Sequence, residues 1–448
     1  MPRHVQVADS DPSPQAAAAP SRLPTTFRAL RHYNYRLFFF GQLISLIGTW
    51  MQTIAQQWLV WRLTGSTAML GTISLIGVIP LIPMGLWSGS ISDRLPKRSI
   101  IVVAQVVMMI QAFILAALTW TGAVQVWHVM VLAVVLAAAN AIDMPARQSI
   151  VVEVIAGKED LTSAIGLNSA VFNAARVLGP AIAGVAVATT GEAMAFFLNG
   201  LSFVAVIVGL LLMRLPPFVR PAHTSPVSSH IVEGMRYVRG QQAVMVLISL
   251  IAVSAFLSMP YSTLLPVFAD KVLAKSAQPV LESVCNAAFS VGVSCQSPGA
   301  LTYGFLMAAT GVGAFIGALA VASLPADARR GRLLTMGNLG FPALVILMAM
   351  SRSFVLTALL LMGIGASFVF QNALGNTLLQ LATPDGLRGR VMSFYTLTFN
   401  VMMRLGGGQA GLMGNWLGAP LAVGLGAVVA LAYGLYVALR YPVLRRMA

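Results

Sequence analysis

Charge is what this sequence has least of: 9% of its 448 residues are Asp, Glu, Lys or Arg, against 58% apolar. Soluble domains carry about 25% charged residues, so this balance excludes an ordinary water-exposed surface and leaves a membrane-embedded chain. Cysteine is nearly absent, two residues in all, and no Cys or His stands at metal-ligand spacing, so no metal is expected. A Gly-rich phosphate loop of the Walker type is missing, as is any nucleophile with a supporting base, and the short loops leave no room for a nucleotide-binding domain. The sequence therefore predicts neither an enzyme nor an ATP-driven pump, and no cofactor. Acidic residues are the scarcest charges, 13 against 28 Lys and Arg, and none lies near the middle of an apolar run.

What remains is a series of apolar runs, each of about 20 residues and able to cross a hydrocarbon core of about 30 Å as a helix. They recur from Leu37 almost to the C-terminus. The formal charge of +15 does not point to nucleic acid, because its distribution alternates along the chain. Arg22, Arg28, Arg31 and Arg36, then Arg94, Lys97 and Arg98, then Arg147 and Lys158 fall on one side. The stretch Arg214–Arg239, the Arg329–Arg332 cluster, Arg388, Arg390 and the Arg445–Arg446 tail continue the same set. The intervening connections carry few cations, Arg62, Lys271, Lys275 and Arg352 being the exceptions, and counting these through predicts twelve spans with both termini cytoplasmic.

The expected organisation is a disordered, Pro- and Ala-rich N-terminus at 1–35 without a cleaved signal peptide, and a six-helix bundle at 36–213. A linker at 214–242, a second six-helix bundle at 243–440 and a tail at 441–448 complete it. Duplication leaves a trace: VFNAARVLGPAIAG (171–184) lies over TFNVMMRLGGGQAG (398–411), with Phe172/Phe399, Asn173/Asn400, Gly179/Gly406 and Gly184/Gly411 coinciding. This places the fifth span on the eleventh, as two related halves require.

The hinge GSISDRLPKRSII (89–101) concentrates charge between the second and third spans. Gly89 permits close helix approach, while Asp93 can accept from a helix N-terminus or pair with an arginine. Arg388 and Arg390 at the start of the eleventh span are its expected partners, so Gly89, Asp93, Arg94, Lys97 and Arg98 read as a cytoplasmic gate. Asp143 and Arg147, spaced i to i+4 at the end of the fourth span, are expected to pair with each other or with Asn168. The hinge pattern resembles the loop signature of the major facilitator superfamily, with Pro96 where that signature has Gly. The segment ARVLGPAIAG, with Ala175, Gly179, Pro180 and Gly184, is similar to the antiporter motif of its exporter branches. FRALRHYNYRLFFFGQLISLIGTWMQTIAQQWLVWRLTGS, DMPARQSIVVEVI and EGMRYVRG resemble the drug:H+ antiporter-3, enterobactin-exporter-like group. The resemblance covers most of the chain from Thr26. It implies a bacterial inner-membrane exporter of siderophores, macrolides or lysophospholipids, and proton coupling.

The residues narrow the cargo. Gln42, Ser45, Thr49, Gln52 and Gln56 form one polar stripe down the first span, which reads as a cavity wall. Arg176 and Arg404 stand near mid-membrane in the paired fifth and eleventh spans, where an arginine is costly unless it faces a cavity or partner. With Asn168, Asn173 and Asn400 they complete the expected substrate path. Arginines and amides without a central carboxylate suit an anionic or phenolic amphiphile better than a lipophilic cation. Export of a siderophore or drug and translocation of a lysophospholipid both remain open, as does a non-transporting accessory or sensor role. A monomer is expected, with the substrate, protons and the bilayer as its partners. Cys285 and Cys295, both on the outer side by this topology, are expected to form a disulfide.

Overall fold

The computed structural model describes residues 25–84, 95–155, 158–215, 235–289, 295, 297–325 and 328–442. Among these, eleven helices are long and apolar enough to cross a membrane. In chain order the first six are Tyr33–Thr64, Thr67–Met84, Lys97–Trp120, Val126–Val151, Asp160–Thr190 and Glu192–Leu212. Gln242–Val272, Pro298–Ala322, Arg330–Met350 and Phe354–Leu381 are the seventh to tenth. Asp385–Leu417, a helix of 33 residues, stands eleventh in chain order but is less apolar, carrying Asp385, Arg388, Arg390 and Arg404. Ala419–Arg440 is the last.

Local chemistry explains where the helices turn. Gly65 ends the first helix with φ 57°, a left-handed conformation that costs glycine little, and its N–H caps the Trp61 carbonyl. Ser66 then accepts from the Met69 N–H at 3.4 Å to start the second.

The repeat read from the sequence extends through the structure. Gly191 (φ 84°) joins the fifth span to the sixth and Gly418 (φ 83°) the eleventh to the twelfth, at the same offset that aligns Asn173 with Asn400. Both asparagines donate from Nδ2 to the carbonyl one turn back, Ser169 and Thr396, each at 2.8 Å. Across the halves the fifth span packs on the eighth and the eleventh on the second. At the first contact a methyl group on Gly184 would sit 2.8 Å from Gly304 Cα; at the second, one on Gly411 would sit 2.6 Å from Gly71 Cα. Only glycine allows these backbones to meet. The two half-to-half seams are thus related by the same exchange that relates the halves.

The expected disorder extends to residue 35, but Thr25–Arg31 forms a 3-10 helix and Tyr33 already opens the first span. The reason is a charge cluster: buried Asp160 is held by Arg31 at 2.7 Å, His32 at 2.8 Å and Arg28 at 3.3 Å. In the linker, residues 216–234 lie outside the described set, while 235–240 are helical. Beyond the seventh span, Ala274–Phe289 is a further helix, anchored by buried Ala277 and Leu281. Cys285 and Cys295 are disulfide-bonded at its end.

Candidate functional site

The face carrying the N-terminus is called the near face below, and the other the far face. On the far face, residues of the two halves meet through side chains. Trp61 Nε1 at the end of the first span donates to Asp270 Oδ2 at 3.1 Å. Lys271 places its ammonium 4.9 Å from the centre of the same Trp61 ring, a cation–π contact. Asp270 and Lys271 both belong to a π-helical turn, Phe268–Val272, a rare local winding that re-aims side chains. One turn deeper, Trp58 stacks on Tyr303 of the eighth span with centroids 6.5 Å apart, and the Tyr303 hydroxyl donates to Gln57 Oε1. The Ser297 N–H reaches the Ala188 carbonyl at 3.3 Å. Together these contacts close the seam between the halves on the far face.

Midway along the fifth span stands Arg176. Its backbone carbonyl abuts Gly311 of the eighth span, and its guanidinium reaches across to lie 5.2 Å from the Phe368 ring centre in the tenth. Tyr261, Phe341, Phe368 and Phe399 form a chain of ring contacts with centroids 5.9 to 6.3 Å apart. Among the described residues no acid pairs with Arg176. The site is therefore one cation from the first half laid on an aromatic wall of the second.

Arg404 is placed differently. Its guanidinium fills the space above Gly77 of the second span, its carbonyl accepts from Ser74 Oγ at 3.2 Å, and its Nε is buried with no partner among the described residues. It sits in the second–eleventh seam, as Arg176 sits in the fifth–eighth.

The polar stripe of the first span does not form one wall. Gln52 is 1% exposed; it donates to Gln111 Oε1 at 2.9 Å and accepts from Asn199 Nδ2 at 2.6 Å. Its amide ties the first, third and sixth spans inside their own bundle. Ser45 and Gln56 are also buried, Thr49 donates to the Ser45 carbonyl at 2.8 Å, and Gln42 Oε1 is buried without a partner among the described residues. Interhelical hydrogen bonding explains the periodicity as well as a cavity would. Asn168 likewise accepts from the Tyr35 hydroxyl at 3.1 Å within the first bundle.

The gate residues also keep largely to their own halves. Gly89, Asp93 and Arg94 lie outside the described residues. Lys97 pairs with Glu153, and Arg98 donates to the carbonyls of Leu211 at 2.7 Å and Met213 at 3.3 Å. These cations therefore tie the third span to the fourth and sixth rather than reaching across. Asp143, 4% exposed, pairs with Arg147 and accepts from Gln105 Nε2 at 3.1 Å, leaving Asn168 to Tyr35. Arg388 pairs with Asp385 at 2.7 Å and donates to the Gln380 carbonyl at 3.2 Å; Arg390 is engaged as well. In the fifth span Ala175 is buried, Gly179 faces Trp50 of the first span, and Pro180 and Gly184 face Gly304 of the eighth. The small residues thus serve two interfaces, one within a half and one between halves.

The family described as transmembrane secretion effectors matches residues 24–447. The chain belongs to that family. By that family and its candidate spans it is a multi-pass membrane protein of the major facilitator superfamily. Among similar proteins, the staphyloferrin A transporter of Staphylococcus aureus is 24% identical over 241 residues, 53% of this chain and 59% of that one. The multidrug efflux pump Tap of Mycobacterium tuberculosis is 28% identical over 209 residues, 45% and 50% of the two chains. The chain thus spans between half and three-fifths of the length of these relatives. Macrolide efflux protein A of Streptococcus pyogenes is 23% identical over 269 residues, 59% and 66%. The fold is that of the nucleoside transporter NupG, with a TM-score of 0.68 at 12% identity over 94% of this chain and 100% of that one. The peptide transporter POT in complex with sulfate gives 0.69 at 14% identity, over 92% and 95%.

Sequence periodicity does not mark the far-face contacts of Trp61, Asp270 and Tyr303, or the aromatic wall around Phe368. One signal was available: Asp270 and Lys271 stand side by side at the end of an apolar run.

Proposed function

We propose that this transporter exports a small anionic or phenolic amphiphile, of siderophore or drug type, by alternating access between its two halves and in antiport with protons. Arg176 carries the reading. It is a guanidinium at mid-membrane that bridges the halves, has no acidic partner among the described residues, and lies on aromatic rings that suit the apolar part of such a ligand. A cation in this position is costly when uncompensated, and a bound anion compensates it. The names of the relatives, a staphyloferrin A transporter and two efflux proteins, agree with export of small molecules. In this reading the near face is cytoplasmic, the membrane is the bacterial cytoplasmic membrane, and the contacts described above close the outer mouth. The proton is carried by Asp143 when Arg147 releases it, by Asp93, or by the ligand's own ionisable group.

The test uses inside-out vesicles with an imposed proton gradient, a pH-sensitive dye, and a panel of a catecholate siderophore, a macrolide and a lysophospholipid. Proton leak triggered by the siderophore or the macrolide in wild type, and lost in Arg176→Ala at equal membrane insertion, is the expected result. A response to lysophospholipid alone would reassign the cargo to lipid. Wild-type response undiminished in Arg176→Ala would remove Arg176 from the site.

A further inference from the structure

At the near-face end of the first and sixth spans the structure holds two arginines around one tyrosine. Asn34 grips the backbone of Arg214 on both sides, donating from Nδ2 to its carbonyl at 2.8 Å and accepting from its N–H at 2.9 Å. This fixes residue 214, two positions past the end of the sixth span, against the start of the first. The Arg214 guanidinium then lies 5.5 Å from the Tyr33 ring centre, and Arg36 approaches the same ring at 6.0 Å. Tyr33 remains 42% exposed.

Nothing among the described residues neutralises the pair. The neighbouring acids are already committed, Asp160 to Arg28, Arg31 and His32 and Glu153 to Lys97. Arg98 adds a further cation at the end of the sixth helix, donating to the carbonyls of Leu211 and Met213. Tyrosine with flanking arginines at a span's end is the chemistry of the headgroup level. Directly beneath, the two helices run close: a methyl group on Gly41 would be 3.3 Å from Val206 Cα, and one on Gly209 would be 3.3 Å from the Leu37 carbonyl oxygen. The outward faces of this helix pair present exposed Phe40, Ile44, Val208 and Leu212.

We propose that this is a binding site for an anionic glycerophospholipid of the near leaflet, its phosphodiester held between Arg36 and Arg214 and its acyl chains lying along the Phe40 and Val208 faces. Charge complementarity selects the occupant. Two preorganised guanidiniums need an anion, and an apolar surface directly below them needs hydrocarbon; a phospholipid supplies both at the right depth. The site lies on the outer surface of one half, so it is separate from the substrate path and its occupancy bears on the stability and tilt of the first and sixth spans.

Native mass spectrometry of the full chain, titrated with phosphatidylglycerol or phosphatidylcholine of matched acyl chains, tests the assignment. Wild type is expected to retain phosphatidylglycerol preferentially. Each arginine near a membrane surface contributes about a fivefold effect, so Arg36→Gln/Arg214→Gln should weaken that retention about 25-fold. Arg329→Gln/Arg332→Gln, which removes two exposed near-face charges from the other half, should leave it within about twofold. Asn34→Ala keeps every charge but frees Arg214, and should lose several-fold; it carries the test if the double variant does not fold. Equal loss in the Arg329/Arg332 control would reduce the effect to a diffuse basic surface and overturn the site. Inorganic phosphate should fail to displace the lipid, and displacement would assign the arginines to free phosphate instead. Full retention in Asn34→Ala together with Arg36→Gln/Arg214→Gln would refute the proposal.

Discussion

The far-face closure rests on few polar contacts, which makes it open to a quantitative test. Asp270 accepts from Trp61 across the halves at 3.1 Å, and Lys271 in the same π-helical turn faces the same indole. A hydrogen bond to a charged group is worth about 1.5–3 kcal/mol when sheltered. Asp270 is exposed, so solvent screening reduces this to about 1 kcal/mol. Because the bond exists only while the far face is closed, Asp270→Ala removes that stabilisation from one conformation alone. The ratio of open to closed far face should then rise about fivefold. Spin labels on Ala123→Cys and Lys275→Cys, exposed positions on the two halves, report the opening by double electron–electron resonance. The two native cysteines are already bonded to each other, so they leave no competing thiol. Glu192→Gln is the matched control, since Glu192 pairs with Arg62 at 2.7 Å within a single half and its loss should not lengthen the distance. An unchanged distribution in Asp270→Ala, or an equal shift in the Glu192→Gln control, would show that the Trp61–Asp270 contact does not hold the halves together.

Two further outcomes follow from the packing. Gln52→Ala should lower stability by about 1–3 kcal/mol, because Gln111 Oε1 and Asn199 Nδ2 lose their shared partner. Its melting temperature should fall while the order of preference among the ligand panel is kept, and altered preference without destabilisation would return Gln52 to the substrate path. Gly184→Val should force apart the fifth and eighth spans, where Gly304 leaves no space for a side chain, at a cost of about 1–3 kcal/mol to the closed far face. The same spin-label pair should report a shift toward opening, and a closed distribution like that of wild type would show that the seam relaxes elsewhere.

The parts of this protein legible in its sequence are those that a membrane imposes everywhere along the chain. Apolar length and alternating cations yield the spans because every segment obeys the same solvent. The 171–184 and 398–411 match places the fifth span on the eleventh and no more; that their glycines meet Gly304 and Gly71 across the halves is seen only in the structure, where two touching backbones leave no room for a side chain. What periodicity cannot distinguish is which neighbour a polar stripe faces. Gln52 and Arg176 look alike from sequence, each a polar residue deep in an apolar helix. Yet Gln52 is saturated by the third and sixth spans, whereas the Arg176 guanidinium lies on the Phe368 ring with no acidic partner among the described residues. That difference depends on residues 59 to 192 positions away in the chain. In the proposed function it is also the difference that matters for transport. A saturated amide has nothing left to offer a ligand, while a cation held on an aromatic wall between two halves keeps its charge free for an anion, and any anion it takes must touch both halves at once. A ligand bound there is therefore placed to alter the balance between them, which is the condition for coupling binding to the change of access.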